Sequence, residues 1–332
     1  MIWLPKISII TPSFNQGQYL EQTMQSVLDQ GYPNLEYMVI DGGSTDNSVE
    51  IIKKYEKHLA YWVSEKDKGQ SEAINKGLIR TTGEIVNWLN SDDYLQPGAL
   101  KIIAENFEDP LVNVVCGRSR LFGDGMKDRF TKGTDVYEGN LEKTIGWARI
   151  DQPETWFRKA AVDKMGLLNT DLHYVMDKEW WIRYLLLFGL DGIKKIPDIL
   201  VNFRLHTDSK TSTSQEKFKL ETHFLYYTIA ENIVDSSAKE FIEKEGEMKI
   251  VESLFDALEN TEADFQKLLQ NYWYRCGAEA YARNDFTAAK KYFRKLNKEL
   301  LSLADSKEIK KLEFRMKLLP SDIKKFFNKF IR

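Results

Sequence analysis

Two carboxylates stand side by side in Asn90-Ser91-Asp92-Asp93, directly after the apolar run Ile85-Val86-Asn87-Trp88-Leu89. Adjacent acids at the mouth of a sheet repel each other unless water or a cation neutralises them. Hard carboxylate oxygens suit Mg²⁺ or Mn²⁺, and such an ion would bridge a diphosphate and stabilise it as a leaving group. Taken alone, Asp92 reads equally well as the cap of the next turn. A second polar segment, Asp41-Gly42-Gly43-Ser44-Thr45-Asp46, follows another apolar run, Tyr37-Met38-Val39-Ile40. Its glycines permit backbone close to a ligand, and the Asp41 carboxylate can accept from a base N–H or a ribose hydroxyl. A third, Thr11-Pro12-Ser13-Phe14-Asn15, closes Ile7-Ser8-Ile9-Ile10 and offers Phe14 for stacking on a base.

The elements between these segments explain how they meet. Leu20, Met24, Val27 and Leu28 mark one face of a helix from Tyr19 to Asp29, stopped by Gly31-Tyr32-Pro33-Asn34. Asp46 or Ser48 caps a helix through Tyr55, Tyr61-Trp62-Val63 is a strand, Ser71 to Ile79 is a helix, and Pro97 opens another. Strands alternating with helices of this length predict an α/β fold, a mostly parallel doubly wound sheet with helices on both faces. Ligands on such sheets bind beyond the carboxyl ends of the strands, where the polar clusters fall.

From Gly123 to Gly139 the pattern weakens to a loop or ragged strands. A helix is expected from Asp177 through Leu185 and a strand from Ile196 to Phe203. Beyond Thr213 the chain reads as helical, which sets a domain boundary between residues 1–215 and 216–332. Within the second part, Trp273, Gly277, Ala289 and Phe293 have the spacing of one tetratricopeptide-like hairpin over about 270–300, or of a helical hairpin that only supports the fold. Residues 318–332 interleave Ile323, Phe326, Phe327, Phe330 and Ile331 with Lys324, Lys325, Lys329 and Arg332. They read as a basic amphipathic helix, lying on an anionic membrane or docked on the domain.

The 332 residues carry a net charge of −3, with 42% apolar and 29% charged residues, which is ordinary for a globular protein and gives no reason to expect nucleic acid as a partner. The two cysteines, Cys116 and Cys276, have no metal-site spacing and suit a reducing compartment. The start lacks the basic and apolar regions of a signal peptide. A cytoplasmic protein is expected, with at most a peripheral contact at the inner face of the membrane.

In this order the motifs resemble those of the family-2 glycosyltransferases, the inverting GT-A class. Ile9-Ile10-Thr11-Pro12-Ser13-Phe14-Asn15, Asp41-Gly42-Gly43-Ser44-Thr45-Asp46, Asp67-Lys68-Gly69-Gln70-Ser71-Glu72 and Asn90-Ser91-Asp92-Asp93 carry the resemblance, which covers roughly residues 5–210. It implies a nucleotide site at Pro12, Ser13, Phe14, Asp41, Lys68, Gly69, Gln70 and Asp92. It implies Asp93 as metal ligand with His206 completing the metal or diphosphate site, although Asn90 stands where the family often has Asp. Tyr174-Val175-Met176-Asp177-Lys178-Glu179-Trp180-Trp181 is similar to the family's catalytic acid and following helix, which makes Asp177 the base and Glu179 its reserve. Gln152, Glu154 and Trp156 resemble an acceptor-side strand.

The expected reaction is a metal-dependent inverting transfer from a nucleoside diphosphate sugar, UDP-linked, to a hydroxyl of a glycan or lipid-linked glycan in surface polysaccharide synthesis. A sugar nucleotidyltransferase shares the sheet and the acids but needs a Gly-rich loop after the first strand, and no glycine precedes Gly17 there. A silent scaffold acting through the helical repeat would have no need of Asp41, Asp92, Asp93 and Asp177.

Overall fold

The computed structural model describes residues 4–207, 209–233 and 235–318, which form two compact units. One holds residues up to Asp135 together with Arg149–Thr222, and the other holds Val136–Ala148 and the chain from His223. Of the basic helix expected at 318–332, residues 319–332 lie outside the described residues.

The first unit opens with β1 (Ile7–Ser13), α1 (Gly17–Leu28), β2 (Leu35–Asp41), α2 (Ser48–Tyr55), β3 (Tyr61–Ser64), α3 (Gln70–Leu78) and β4 (Ile85–Trp88). It continues with β5 (Tyr94–Leu95), α4 (Ala99–Asn106), β6 (Val114–Phe122) and β7 (Arg129–Phe130). The sheet runs β3-β2-β1-β4 in parallel, as the alternating pattern predicts. β1 is buried at every position and reads as a run of Ile residues because helices cover both its faces. Pro12 comes after the pairing with β4 has ended at Ile10↔Trp88, where its missing N–H breaks no bond of that ladder. α1 seats Leu20, Thr23, Met24 and Val27 on the sheet at helical spacing. At the opposite ends of the strands Glu36 is buried and accepts from Lys6 Nζ (2.7 Å), Ser8 Oγ (2.5 Å) and the Thr82 backbone N–H (2.8 Å).

After α5 (Leu141–Trp147), which belongs to the other unit, the sheet becomes mixed. β8 (Thr155–Arg158) runs antiparallel between β4 and β6. α6 (Lys159–Met165) and α7 (Met176–Phe188) follow, then β9 (Ile193–Arg204), parallel to β6 and antiparallel to β5. α7 is buried nearly all round, and Trp180 packs against Trp88 and Phe157 at 5.5 and 4.9 Å between ring centroids. The weak stretch after Gly123 holds only the two-residue β7 before α5.

α8 (Lys210–Thr213) and α9 (Gln215–Asn232) lead into the helical unit, with α10 (Ser236–Glu243), α11 (Phe255–Glu259), α12 (Phe265–Ala282), α13 (Phe286–Lys295) and α14 (Leu303–Leu318). Tyr226 stacks on Tyr272 at 3.7 Å and donates to the Ile145 carbonyl of α5 (2.6 Å). α12 and α13 follow each other across a short turn, with Asp285 capping α13 through the Ala288 N–H (2.9 Å). Gly277 is required at their contact, since a Cβ there would lie 2.3 Å from the Phe293 ring. No helix among the described residues is long and apolar enough to cross a membrane.

Candidate active site

Five polar segments line the carboxyl ends of the parallel strands and the adjoining edge of the sheet. The loops after β1 and β2 are stitched into one piece. The Asn15 N–H donates to Ser44 Oγ (2.8 Å), and Thr45 N donates back to Asn15 Oδ1 (2.8 Å). Asn15 adopts a left-handed conformation at φ 51° to make this exchange. Asp46 does not cap α2 as its N-cap residue. It takes the Ser48 N–H (3.0 Å) and, from the first loop, the Gly17 N–H that opens α1 (2.9 Å). Phe14 projects from this piece with 59% of its surface exposed, whereas Ser13 is buried.

Asp41 is fully buried at the end of β2. Its Oδ2 accepts from Gly43 N (3.1 Å), Ser44 N (2.9 Å) and Ser64 Oγ (2.6 Å), and Oδ1 from Ser44 Oγ (2.5 Å). The carboxylate therefore shapes the glycine loop, and Oδ1 keeps room for one more donor. Gly42 lets Asp67 close in, because a Cβ at that position would sit 2.7 Å from Asp67 Oδ2. Asp67 in turn takes the Gly69 N–H (2.9 Å), and Gly69 has φ 130°. Lys68 is exposed, and Gln70 reaches across to Asn90 Oδ1 (2.8 Å).

The acidic turn after β4 departs from expectation in its pairing. His206, beyond β9, meets Asp92 and not Asp93: its Nε2 lies 3.0 Å from Asp92 Oδ2. Its Nδ1 is buried with no hydrogen-bond partner among the described residues. Asp93 is 1% exposed and accepts from the Arg204 backbone N–H (2.9 Å). Successive side chains diverge because the chain turns here, with Asp93 N donating to Asn90 O (3.1 Å). Burial, and then the charge of Asp92, hold the Asp93 carboxyl well above the usual carboxylate range. Arg204 fixes the turn through Asp92 O (3.0 Å), and its guanidinium lies 4.6 Å from the Tyr19 ring centre. Among the described residues no three or more His, Cys, Asp or Glu are grouped to hold a metal ion.

Asp177 opens α7, with Oδ1 accepting from the Lys178 N–H (2.8 Å). Burial raises its carboxyl above the ordinary value, and the negative charge of Asp151 adds to the effect. The segment before it is held by Glu221 of α9. That carboxylate takes the N–H groups of His173 (3.0 Å), Tyr174 (2.8 Å) and Val175 (3.1 Å) in succession. Glu179 is not placed to share the proton chemistry. It is fully buried on the helix and its Oε2 is 2.7 Å from Arg183 Nη2, an i,i+4 ion pair.

The acceptor-side expectation needs correction, since all three of its residues are buried. Trp156 is 1% exposed and belongs to the core with Leu100, Ile103 and Val115, so it has no free face for a sugar. Gln152 is buried and spends its amide on Asn87 Oδ1 (2.8 Å) and the Trp88 carbonyl (3.0 Å). The cause is the position of β8 inside the sheet, between β4 and β6. Glu154 is fully buried and accepts from Thr131 Oγ1 (2.8 Å). Burial and the neighbouring Asp151 push its carboxyl up to about 8. Asp151 itself, which sequence reasoning missed, is grasped by Arg149 Nη1 (2.8 Å), whose other edge holds Asp135 (2.9 Å). Arg149-Ile150-Asp151 carried a signal in its close opposite charges. Tyr19 and Glu221, also missed, carried none.

The family profile described as "Glycosyl transferase family 2" matches residues 8–185. Among curated relatives, the "Putative teichuronic acid biosynthesis glycosyltransferase TuaG" of Bacillus subtilis is 43% identical over 152 residues, 43% of this chain and 60% of that protein. Among solved structures, S. aureus TarS 1–349 in complex with UDP-GlcNAc superposes with a TM-score of 0.56 at 17% identity, over 97% of this chain and 89% of that one. The mannosyltransferase PcManGT of Pyrobaculum calidifontis, in complex with GDP-Man and Mn²⁺, gives 0.50 at 17% identity, over 99% and 85%. These two likenesses establish the fold as GT-A in type, with a helical region after it. With the profile spanning more than half of the chain, the protein belongs to glycosyl transferase family 2 and is a glycosyltransferase.

Proposed function

We propose that this enzyme transfers a sugar from a UDP-sugar to an acceptor hydroxyl with inversion, in the assembly of a bacterial surface polysaccharide. One observation carries the reading: Asp92 and His206 form a carboxylate–imidazole pair at a strand end, in the same unit as the Asp41 loop and Asp177. The teichuronic acid name borne by the Bacillus relative supports the polysaccharide setting, and the UDP-GlcNAc held by TarS supports the donor class.

The donor set fits a divalent cation. Two ligands about 3.0 Å apart are neighbours around an octahedral ion whose bonds are about 2.1 Å. One oxygen with one imidazole nitrogen favours Mn²⁺ over Mg²⁺. Asp92 and His206 would hold it, with Asp93 fixing the turn from beneath. A cation bound there would supply positive charge to the diphosphate of the donor. The Asp41 loop and the exposed Phe14 would receive the nucleoside, the ring stacking on the base and Asp41 Oδ1 taking a hydroxyl or N–H. Gln70 and Lys68 would lie along the nucleotide. Asp177 would take the proton of the acceptor hydroxyl as that oxygen attacks the anomeric carbon in line with the departing UDP. Its raised affinity for a proton suits a general base.

The test is release of UDP from UDP-GlcNAc and UDP-glucose, measured with Mn²⁺ and again with EDTA, for the parent chain and for Asp92→Ala, His206→Ala and Asp93→Ala. Cation-dependent UDP release that Asp92→Ala and His206→Ala abolish is expected. Pyrophosphate release from UTP and a sugar 1-phosphate would instead establish a nucleotidyltransferase. Full activity of Asp92→Ala would reject the assignment of the pair.

A further inference from the structure

The solvent face of α14 has an unusual composition for an acidic protein. Its exposed positions recur every three or four residues: Leu303 with Ala304, Lys307, Lys310 with Lys311, Phe314 and Lys317. The opposite stripe, Ile309, Leu312 and Met316, is buried in the helical unit's own core with Phe293 and Leu301. The orientation of the helix is therefore set by packing, and the lysine face is what remains outside. Leu303 is 73% exposed and Phe314 60%. Lys311 pairs with Glu308 (3.2 Å), whereas Lys307, Lys310 and Lys317 make no ion pair among the described residues. Residues 303–332 contain nine Lys or Arg against four Asp or Glu, in a chain whose net charge is −3. The positive charge is thus concentrated here. Residues 323–332, outside the described part, continue the same mixture of Lys and Arg with Phe and Ile.

We infer that this face of α14 docks on an anionic lipid bilayer. Lysines in a row are drawn to acidic headgroups, and large apolar side chains set among them gain by entering the boundary of the acyl region. A soluble polyanion would satisfy the lysines but would leave Leu303 and Phe314 in water. A protein partner with an acidic groove would use both, but nothing in a row of lysines set with Leu303 and Phe314 prescribes a groove. The contact is interfacial, since no described helix can span the membrane.

The full chain is mixed with phosphatidylcholine vesicles, with the same vesicles containing phosphatidylglycerol, and with soluble polyphosphate. Co-sedimentation with the phosphatidylglycerol vesicles alone, reversed by high salt, is expected. Replacing Lys307, Lys310 and Lys317 together by Ala should weaken vesicle binding about a hundredfold. Phe314→Ser should weaken it about tenfold and leave any polyphosphate binding unchanged. All four side chains point into solvent, and an unchanged melting temperature and UDP affinity will verify that the fold is intact. Equal binding to both kinds of vesicle, or undiminished binding by the triple variant, overturns the inference. Polyphosphate bound as tightly as vesicles, with Phe314→Ser indifferent in both, would assign the face to a soluble polyanion instead.

Discussion

Replacing Asp177 by Asn removes a proton acceptor while leaving almost everything else in place. The amide oxygen can still accept from the Lys178 N–H, now 2.8 Å from the carboxylate, so the first turn of α7 keeps its bond. The Asp41 loop and the Asp92–His206 pair stand on other elements, after β2, β4 and β9. The loss should therefore fall on turnover and not on nucleotide binding. General-base assistance contributes roughly 10²–10⁴-fold, or about 3–5 kcal/mol of barrier. Initial rates of UDP release should fall by that factor, with the Kd for UDP from calorimetry changed less than about twofold. The pH profile gives a second reading. Burial raises the Asp177 carboxyl, so the acid limb of kcat/KM should have its midpoint above the ordinary Asp value of about 3.9, and Asp177→Asn should flatten that limb. Glu179→Gln is the matched control. It leaves Arg183 buried without its charge partner, which costs about 3–5 kcal/mol of stability, yet the folded fraction should turn over normally. A variant Asp177→Asn that kept a third of the parent rate, or a Glu179→Gln equally inactive once corrected for folding, would refute the assignment.

Glu221→Ala strands three backbone N–H groups before α7 and should cut kcat tenfold or more with the UDP Kd unmoved, while Glu221→Gln restores part of the rate; charge-assisted bonds of this kind contribute about 1.5–3 kcal/mol each. Glu36 has its carboxyl lowered to about 2 although burial opposes this, because Lys6, Ser8 and Thr82 bond to the charged form. Its folded pKa lies below the unfolded one, so its contribution is complete above about pH 4.5 and disappears as pH falls through about 2; with allowance for solvent at Lys6 it amounts to about 2 kcal/mol, and Glu36→Gln should flatten the stability curve in that window. Gly277→Val drives a side chain into Phe293 and should destabilise the chain by about 3 kcal/mol in urea unfolding, well beyond any gain in helix propensity.

The parallel half of the sheet and its loops were legible because each strand is a short apolar run closed by polar residues, and such a run has one reading. Asp41 and Phe14 could be picked out from this context, whereas Asp177 came only from the family resemblance of residues 174–181. Pairings across the fold could not. His206 and Asp92 are 114 residues apart, and only the course of β9 decides which of two adjacent acids the imidazole meets. Trp156 misleads for a different reason. Thr155-Trp156-Phe157-Arg158 has the polar ends of an edge strand, yet it lies between β4 and β6 and both its faces are covered. Glu179 was discernible in principle, since Arg183 follows it by one helical turn, but the sequence does not say that this turn is buried.

Val136–Ala148 leaves the sheet unit and the chain then returns to it, so the polypeptide passes between the two units three times. The α5 helix in this excursion is built to be covered: a Cβ on Gly146 would lie 2.6 Å from the Asn271 side chain of α12. During synthesis α5 must wait for that cover. At roughly 5–20 residues per second the ribosome needs about 6–25 s to reach Asn271. For that interval the buried residues of α5, Thr144, Ile145 and Gly146, stand without the α12 surface that covers Gly146. Deleting the helical half outright would make the same exposure permanent.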